Sequence, residues 1–268
     1  MFPKIISIGS FFLPTYGLMV ALGFLVALWL AGRLAKQTGL DPEAVTNLGV
    51  YAALAGFVGA KLLMFIVEFD RYAKDPGEIF SFATLQAGGV FYGGLVLALA
   101  FGYWYGRQKK LPLGKTLDVL APGLAIGQAI GRIGCFAAGC CWGAHCDRPW
   151  AVTFTNPDAH QITGVPLGIP LHPSQLYESA LLVLVFAIVY GASQKPHRPG
   201  GVISLYLVTS SVARFIAEFF REHQQANLFG WVLSNAQWIS VGLFVLGGVL
   251  LLRGAPRGGA LIQGGESR

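Results

Sequence analysis

The stretch at 127–143, GQAIGRIGCFAAGCCWG, sets an arginine and a run of small residues inside a segment otherwise apolar enough to span a bilayer. A guanidinium at membrane depth costs between ~3 and ~15 kcal/mol. Arg132 therefore has to pair, line a wet cavity or hold an anion. Gly127, Gly131 and Gly134 surround it, and glycines there serve either close approach of neighbouring helices or access of a large ligand to the backbone. The bland reading is a glycine-rich helix crossing whose arginine has a structural partner.

Working outward, the 268 residues are 54% hydrophobic and only 12% charged, which excludes an ordinary soluble domain. The fold class expected is an all-α polytopic membrane protein with seven transmembrane helices and a small irregular extracytoplasmic head. Apolar runs of about 20 residues, the length that crosses a hydrocarbon core, lie at 13–32, 45–67, 88–106, 117–137, 174–192, 201–220 and 234–252. Of the basic residues between them, Arg33, Lys36, Arg107, Lys109, Lys110, Lys115, Lys195, Arg198, Arg253, Arg257 and Arg268 fall on one side. Lys4, Arg71, Lys74, Arg148 and Arg221 fall on the other. By the positive-inside rule the N-terminus is outside and the C-terminus cytoplasmic. No basic run is long enough to argue for nucleic acid, and the N-terminus lacks the pattern of a cleaved signal.

The membrane domain is expected over 1–256. Residues 68–87 are too polar to span and read as a surface connection. Residues 138–172, interrupted by Pro149, Pro157, Pro166 and Pro170, read as the head, with a β-prone WAVTF and a turn signal at NPD. Residues 257–268 read as a disordered cytoplasmic tail.

Three cations fall inside spans: Lys61, Arg132 and Arg214. Lys61 is placed where it can snorkel to the headgroups. Arg214 is followed by Glu218 at i+4 and then by Arg221, so one helical face alternates in sign. That face suits either a self-neutralised bridge or, together with Arg132, two guanidinium forks converging on phosphate oxygens. The span opening LHPSQLYES gathers His172, Ser174, Gln175, Tyr177 and Glu178 within two turns. Gln175 and Glu178 share a face that suits orienting an arginine or a headgroup. Tyr16 and Tyr92 each stand beside glycine at a span's outer end. All four cysteines fall within twelve residues as C-x4-C-C-x4-C, from Cys135 through Cys140 and Cys141 to Cys146. That spacing is neither a zinc ribbon nor a C-x-x-C redox pattern. A disulfide involving Cys146 and buried free thiols both stay open.

Jointly these segments resemble the bacterial phosphatidylglycerol:prolipoprotein diacylglyceryl transferases over most of the chain. The resemblance rests on YGLM with a downstream G-F at 16–24 and GG-x3-GGL at 88–95. It rests further on GR-x-G-x-F-x2-G-x3-G at 131–143 (Gly131, Gly139 and Gly143 among its glycines), HPSQLYE at 172–178 and RF-x2-EFFRE at 214–222. It implies a seven-span enzyme of the bacterial cytoplasmic (inner) membrane. The enzyme would transfer the sn-1,2-diacylglyceryl group of phosphatidylglycerol to the lipobox cysteine of a prolipoprotein, releasing glycerol 1-phosphate.

By motif, Arg132 matches the family's signature arginine, Arg214 the sixth-span arginine and Tyr16 the first-span tyrosine. Lys61 stands where arginine is usual. Departures are Tyr92 for the histidine of HGGL, Cys135 for an asparagine, Cys140 for a glutamate and Ser210 for a tyrosine. The resemblance implies that Arg132 and Arg214 clamp the phosphate and that Glu218 and Gln175 orient them. Tyr92 and Tyr16 would hydrogen-bond the headgroup or pass a proton, and His172 is a further candidate base. Cys135, Gly131, Gly139, Gly143, Ser174, Tyr177, Glu178 and Arg221 would line the substrate cavity. No metal and no cofactor are expected, because the leaving group is already activated as a phosphodiester. A lipid or anion transporter using the same arginines, and a membrane thiol oxidoreductase using the cysteines, are the competing readings.

Overall fold

Long apolar runs become helices, and the breaks fall where the chain supplies caps, prolines and polar residues. The computed structural model describes residues 2–8, 11–81, 84, 88–222 and 233–253. It comprises two units, Met1–Thr38 with Gly114–Arg268, and Gly39–Leu113. The tail expected over 257–268 lies outside the described residues.

The first unit opens with an antiparallel hairpin, β1 (Lys4–Ile8) and β2 (Phe11–Pro14), that runs into α1 (Thr15–Gln37). The sequence reading began a span at 13 and did not anticipate this hairpin. The chain re-enters the unit in α5 (Leu113–Ala138), which carries Pro122 within it. It then forms a small folded insertion and the helices α7 (Ser174–Ser193), α8 (Gly201–Glu218) and α9 (Asn235–Arg253). Gly23 of α1 and Gly127 of α5 touch so closely that a Cβ on Gly23 would sit 2.8 Å from the Gly127 carbonyl. Small residues thus bring α1 and α5 into backbone contact.

The insertion packs Phe154, Ala159, Val165 and Leu171 into a core of its own, with Trp142 and Val152 against it. Asn156 caps α6 (Pro157–Thr163) by accepting from Asp158 N at 2.9 Å, and Pro157 takes the first helical position. The NPD turn signal is therefore a helix start. WAVTF contributes only the two-residue strand β3 (Val152–Thr153), paired with β4 (Pro170–Leu171). These four short strands qualify the all-α expectation without altering it.

The second unit pairs α2 (Pro42–Val67) with α4 (Phe91–Gln108). A Cβ on Gly59 would lie 2.4 Å from the Gly93 carbonyl, and one on Gly93 equally close to the Gly59 carbonyl, so both sites demand glycine. Between the two helices, the polar segment forms α3 (Phe69–Lys74) and a 3-10 turn (Pro76–Phe80). Arg71 pairs there with Glu78 and Glu68.

Six helices, α1, α2, α5, α7, α8 and α9, are long and apolar enough to cross a membrane. Over half of Leu25, Trp29, Leu54 and Ile66 is exposed, a surface suited to lipid rather than water. The chain is a multi-pass membrane protein. α4 spans 18 residues but ends in aromatic and polar residues, and it is not among the six.

The end of the first unit that carries Asp118 is tied by polar bonds. Buried Asp118 of α5 accepts from Gly200 N at 2.6 Å and Ile203 N at 2.8 Å, satisfying orphan donors at the start of α8. Arg198 donates to the carbonyls of Leu250 and Leu251 at 2.7 and 2.6 Å. Asp118→Ala leaves those donors buried and unpaired, at a cost of about 2 kcal/mol. Thermal unfolding of the purified variant is expected to show a lower midpoint.

Candidate active site

Opposite the Asp118 end, Arg132 lies in the second-last turn of α5, Glu178 in the second turn of α7, and Arg214 and Glu218 in the last turns of α8. Glu178 is the meeting point. Its Oε1 lies 2.9 Å from Arg132 Nη2, and its Oε2 lies 3.0 Å from Arg214 Nη1 and 3.9 Å from Arg221 Nη1. Glu218 closes the network from behind, 2.8 Å from Arg214 Nη2 and 3.8 Å from Arg221 Nε. Both carboxylates are buried, whereas about a quarter of the Arg132 and Arg214 side chains is exposed. Three guanidiniums against two carboxylates leave one positive charge, and the cations form the accessible layer. A buried carboxylate shared by guanidiniums is electrostatically satisfied, and the partly exposed Arg132 and Arg214 side chains are placed where an anion can reach them.

The alternating signs of Arg214, Glu218 and Arg221 were legible in the sequence, and the structure joins them to Arg132 through Glu178. The sequence missed Ser234. Its Oγ donates to Glu218 Oε1 at 3.0 Å, and it exchanges bonds with Gln237 at the start of α9. The S-x-x-Q pattern ahead of an apolar run is a capping-box signal that marks this position.

The loop after α5 is built onto the same corner. Gly139 turns the chain at φ +79°. Gln175 Nε2 donates to Cys140 O at 2.8 Å, and Ser174 Oγ to Cys141 O at 3.1 Å. Gln175 thus anchors the loop through Cys140, where the sequence reading expected it to orient an arginine. Gly143 bridges to Arg221, and a Cβ there would fall 2.3 Å from His172 O and 2.6 Å from Phe220 O. Three backbones meet at this glycine. The His172 ring packs edge-on to Tyr177 and Phe220, with Nδ1 3.3 Å from the Tyr177 hydroxyl.

Tyr16, at the start of α1, lies within electrostatic reach of Cys135 and Arg132. Gly134 packs against Met19 of α1, while Gly131 faces open space. Lys61 and Tyr92 belong to the other unit. Lys61 is buried and donates to Thr84 O at 2.6 Å rather than snorkelling outward. Tyr92 is largely exposed at the start of α4.

All four cysteines are free thiols, so the disulfide left open for Cys146 is not formed. Cys135, Cys140 and Cys141 bring their sulfurs within 4.8 Å of one another. Linear spacing had suggested no ligand set. Among the described residues they are the group able to hold a metal ion.

A family model described as prolipoprotein diacylglyceryl transferase matches residues 3–253. The chain belongs to the prolipoprotein diacylglyceryl transferase family. Among its relatives, the phosphatidylglycerol–prolipoprotein diacylglyceryl transferase of Clostridium tetani is 35% identical over 87% of this chain and 89% of its own. That of Vibrio cholerae is 35% identical over 96% of this chain and 92% of its own. That of Photobacterium profundum is 34% identical over 93% and 92% respectively. Within this member of the transferase family, removing the shared carboxylate leaves Arg132 and Arg214 without their common counter-charge. Glu178→Ala is expected to destabilise the folded protein by about 3 kcal/mol. Thermal unfolding in detergent checks this, with Glu178→Gln losing less because it keeps a hydrogen-bonding group in place.

Proposed function

We infer that this chain transfers the sn-1,2-diacylglyceryl group of phosphatidylglycerol to the lipobox cysteine thiol of prolipoproteins, forming a thioether and releasing glycerol 1-phosphate. The observation that carries the reading is the layer of guanidiniums over buried Glu178 and Glu218 in a chain of this family. Arg132 and Arg214 hold the two free oxygens of the phosphodiester. The thiolate attacks the diacylglyceryl carbon bearing the phosphate ester, and the C–O bond breaks with its electron pair going to the departing phosphate. The same guanidiniums meet the charge as it grows, and their field favours ionisation of a thiol whose ordinary pKa is about 8.5. Glu178 and Glu218 orient the guanidiniums, and Tyr16 hydrogen-bonds the headgroup. His172, tied to Tyr177 and Phe220, braces the corner where Gly143 meets Arg221. The resemblance also assigns Tyr92 and Lys61 to the lipid.

An apolar groove of about 190 Å³ lies between α8 and α9, with Val212, Phe215, Val241 and Phe244 along it. We assign it to an acyl chain of the lipid.

Seven spans, counting α4, put the N-terminus outside and the C-terminus in the cytoplasm. The ends of α5 and α8 and the start of α7 then face the outer leaflet, with the folded insertion between α5 and α7 beside them. A lipobox held in the outer leaflet meets the clamp there.

Purified protein incubated with phosphatidylglycerol and a lipobox peptide is expected to yield the diacylglyceryl thioether and glycerol 1-phosphate by mass analysis. Arg132→Ala and Arg214→Ala should each lower kcat/KM on the order of 100-fold or more. Near-normal transfer in both variants overturns the assignment.

A further inference from the structure

The clamp leaves unused three sulfur atoms gathered beside it. Their convergence is built into the fold. Cys135 is buried in the last turn of α5, three residues after Arg132 and four after Gly131. All three therefore share a helix face. The chain then leaves the helix through Gly139 and Cys141, the latter at φ +59°, a left-handed conformation that residues other than glycine adopt rarely. The turn folds Cys140 back, so that its N–H donates to Cys135 O at 3.1 Å. Gln175 and Ser174, one turn ahead of Glu178, fix the Cys140 and Cys141 carbonyls. One short stretch of α7 thus holds both the arginines and the cysteine loop.

Three sulfurs around a zinc-type ion at about 2.3 Å from the metal stand about 3.8 Å apart. The separation seen, 4.8 Å at most, closes to that with side-chain shifts on the order of 1 Å. Three thiolates on a dication carry one negative charge, which matches the one positive charge left by the arginines and glutamates of the clamp. Arg132 and Arg221 lie within electrostatic reach of the cluster. There is also room next to the cluster: a Cβ on Gly131, one turn before Cys135, would meet nothing within 4 Å.

We propose that Cys135, Cys140 and Cys141 form a three-thiolate site for a soft, zinc-type dication, whose fourth position takes the thiolate of the incoming lipobox cysteine. The proposal rests on the transferase reading and supplies its nucleophile. On binding, the thiol gives its proton to water and its sulfur to the metal. A sulfur lone pair then forms the C–S bond as the C–O bond breaks and glycerol 1-phosphate departs, with no oxidant or reductant involved. The neutral thioether is a weak ligand and leaves. Thiolate ligands select metals of this kind, and coordination keeps a thiol ionised at neutral pH.

The test uses the full-length protein in detergent, reduced and then freed of reductant, with Zn²⁺ for stoichiometry and Co²⁺ as the spectroscopic probe. One Zn²⁺ per chain is expected, together with a thiolate-to-cobalt absorption band. Both should be lost in Cys135→Ser and Cys140→Ser and kept in Cys146→Ser, with thermal unfolding reporting that each variant is folded. A lipobox peptide with a free cysteine should shift the cobalt spectrum, while the same peptide alkylated at sulfur should not. Absence of bound metal with all thiols reduced overturns the proposal, as does a disulfide among the three in protein isolated without reductant. Metal that ignores the thiol peptide overturns the fourth-ligand assignment. Transfer assays on chelator-stripped and reloaded protein separate the two readings. Full transfer by stripped protein removes the metal step and keeps the transferase, whereas metal binding with no transfer in either form contradicts the transferase reading itself.

Discussion

A single buried carboxylate decides the character of this corner of the molecule. The buried Glu178 carboxylate has Arg132 and Arg214 about 3 Å from its two oxygens, and that pairing offsets the cost of burying it. The dependence runs both ways, since each guanidinium is kept within an apolar bundle by that same charge. Three helices, α5, α7 and α8, are therefore pinned at one end by one group. What the pinning leaves over is chemically useful: two guanidiniums held from behind by buried carboxylates, each with about a quarter of its side chain exposed. A phosphodiester fits that arrangement in both charge and geometry.

The two ends of the bundle use the same physical device for different purposes. Asp118 is buried against backbone N–H groups and the arrangement is closed, so it serves the fold. Glu178 is buried against side chains that are themselves partly exposed, which is the arrangement the proposed ligand site uses. Between α5 and α7 the chain has little freedom. Gly143 admits the backbones of His172 and Phe220 at distances no side chain tolerates, and α7 holds the preceding carbonyls. The cysteine loop, Arg132 of α5, Arg214 of α8 and Arg221 just past α8 are consequently parts of one corner.

Much of this was legible because it is local. Apolar runs of span length predicted the helices to within a few residues. The i, i+4 placement of Arg214 and Glu218 predicted their pairing, and Gln175 and Glu178 were seen to share a face. The rest depends on approaches between distant segments, which periodicity does not encode. Nothing in HPSQLYE says that Glu178 will meet Arg132 and Arg214 from two other helices and Arg221 from the chain just past α8, while Gln175 takes a loop carbonyl. The sulfurs of Cys135, Cys140 and Cys141 meet only because Cys141 adopts a left-handed turn, so their linear spacing matched no metal pattern. The N-terminal hairpin was hidden because its second strand is as apolar as the helix it precedes. Ser234, by contrast, carried a readable capping signal.

The central claim is that Glu178 acts through the arginines it holds rather than on the substrate. A double-mutant cycle on kcat/KM tests it, comparing Glu178→Gln, Arg132→Ala and the two combined against the unaltered protein. The account predicts that the combined loss falls well short of the product of the single losses, because both changes dismantle one clamp. Losses that multiply would contradict it and would place Glu178 in direct contact with the reacting groups.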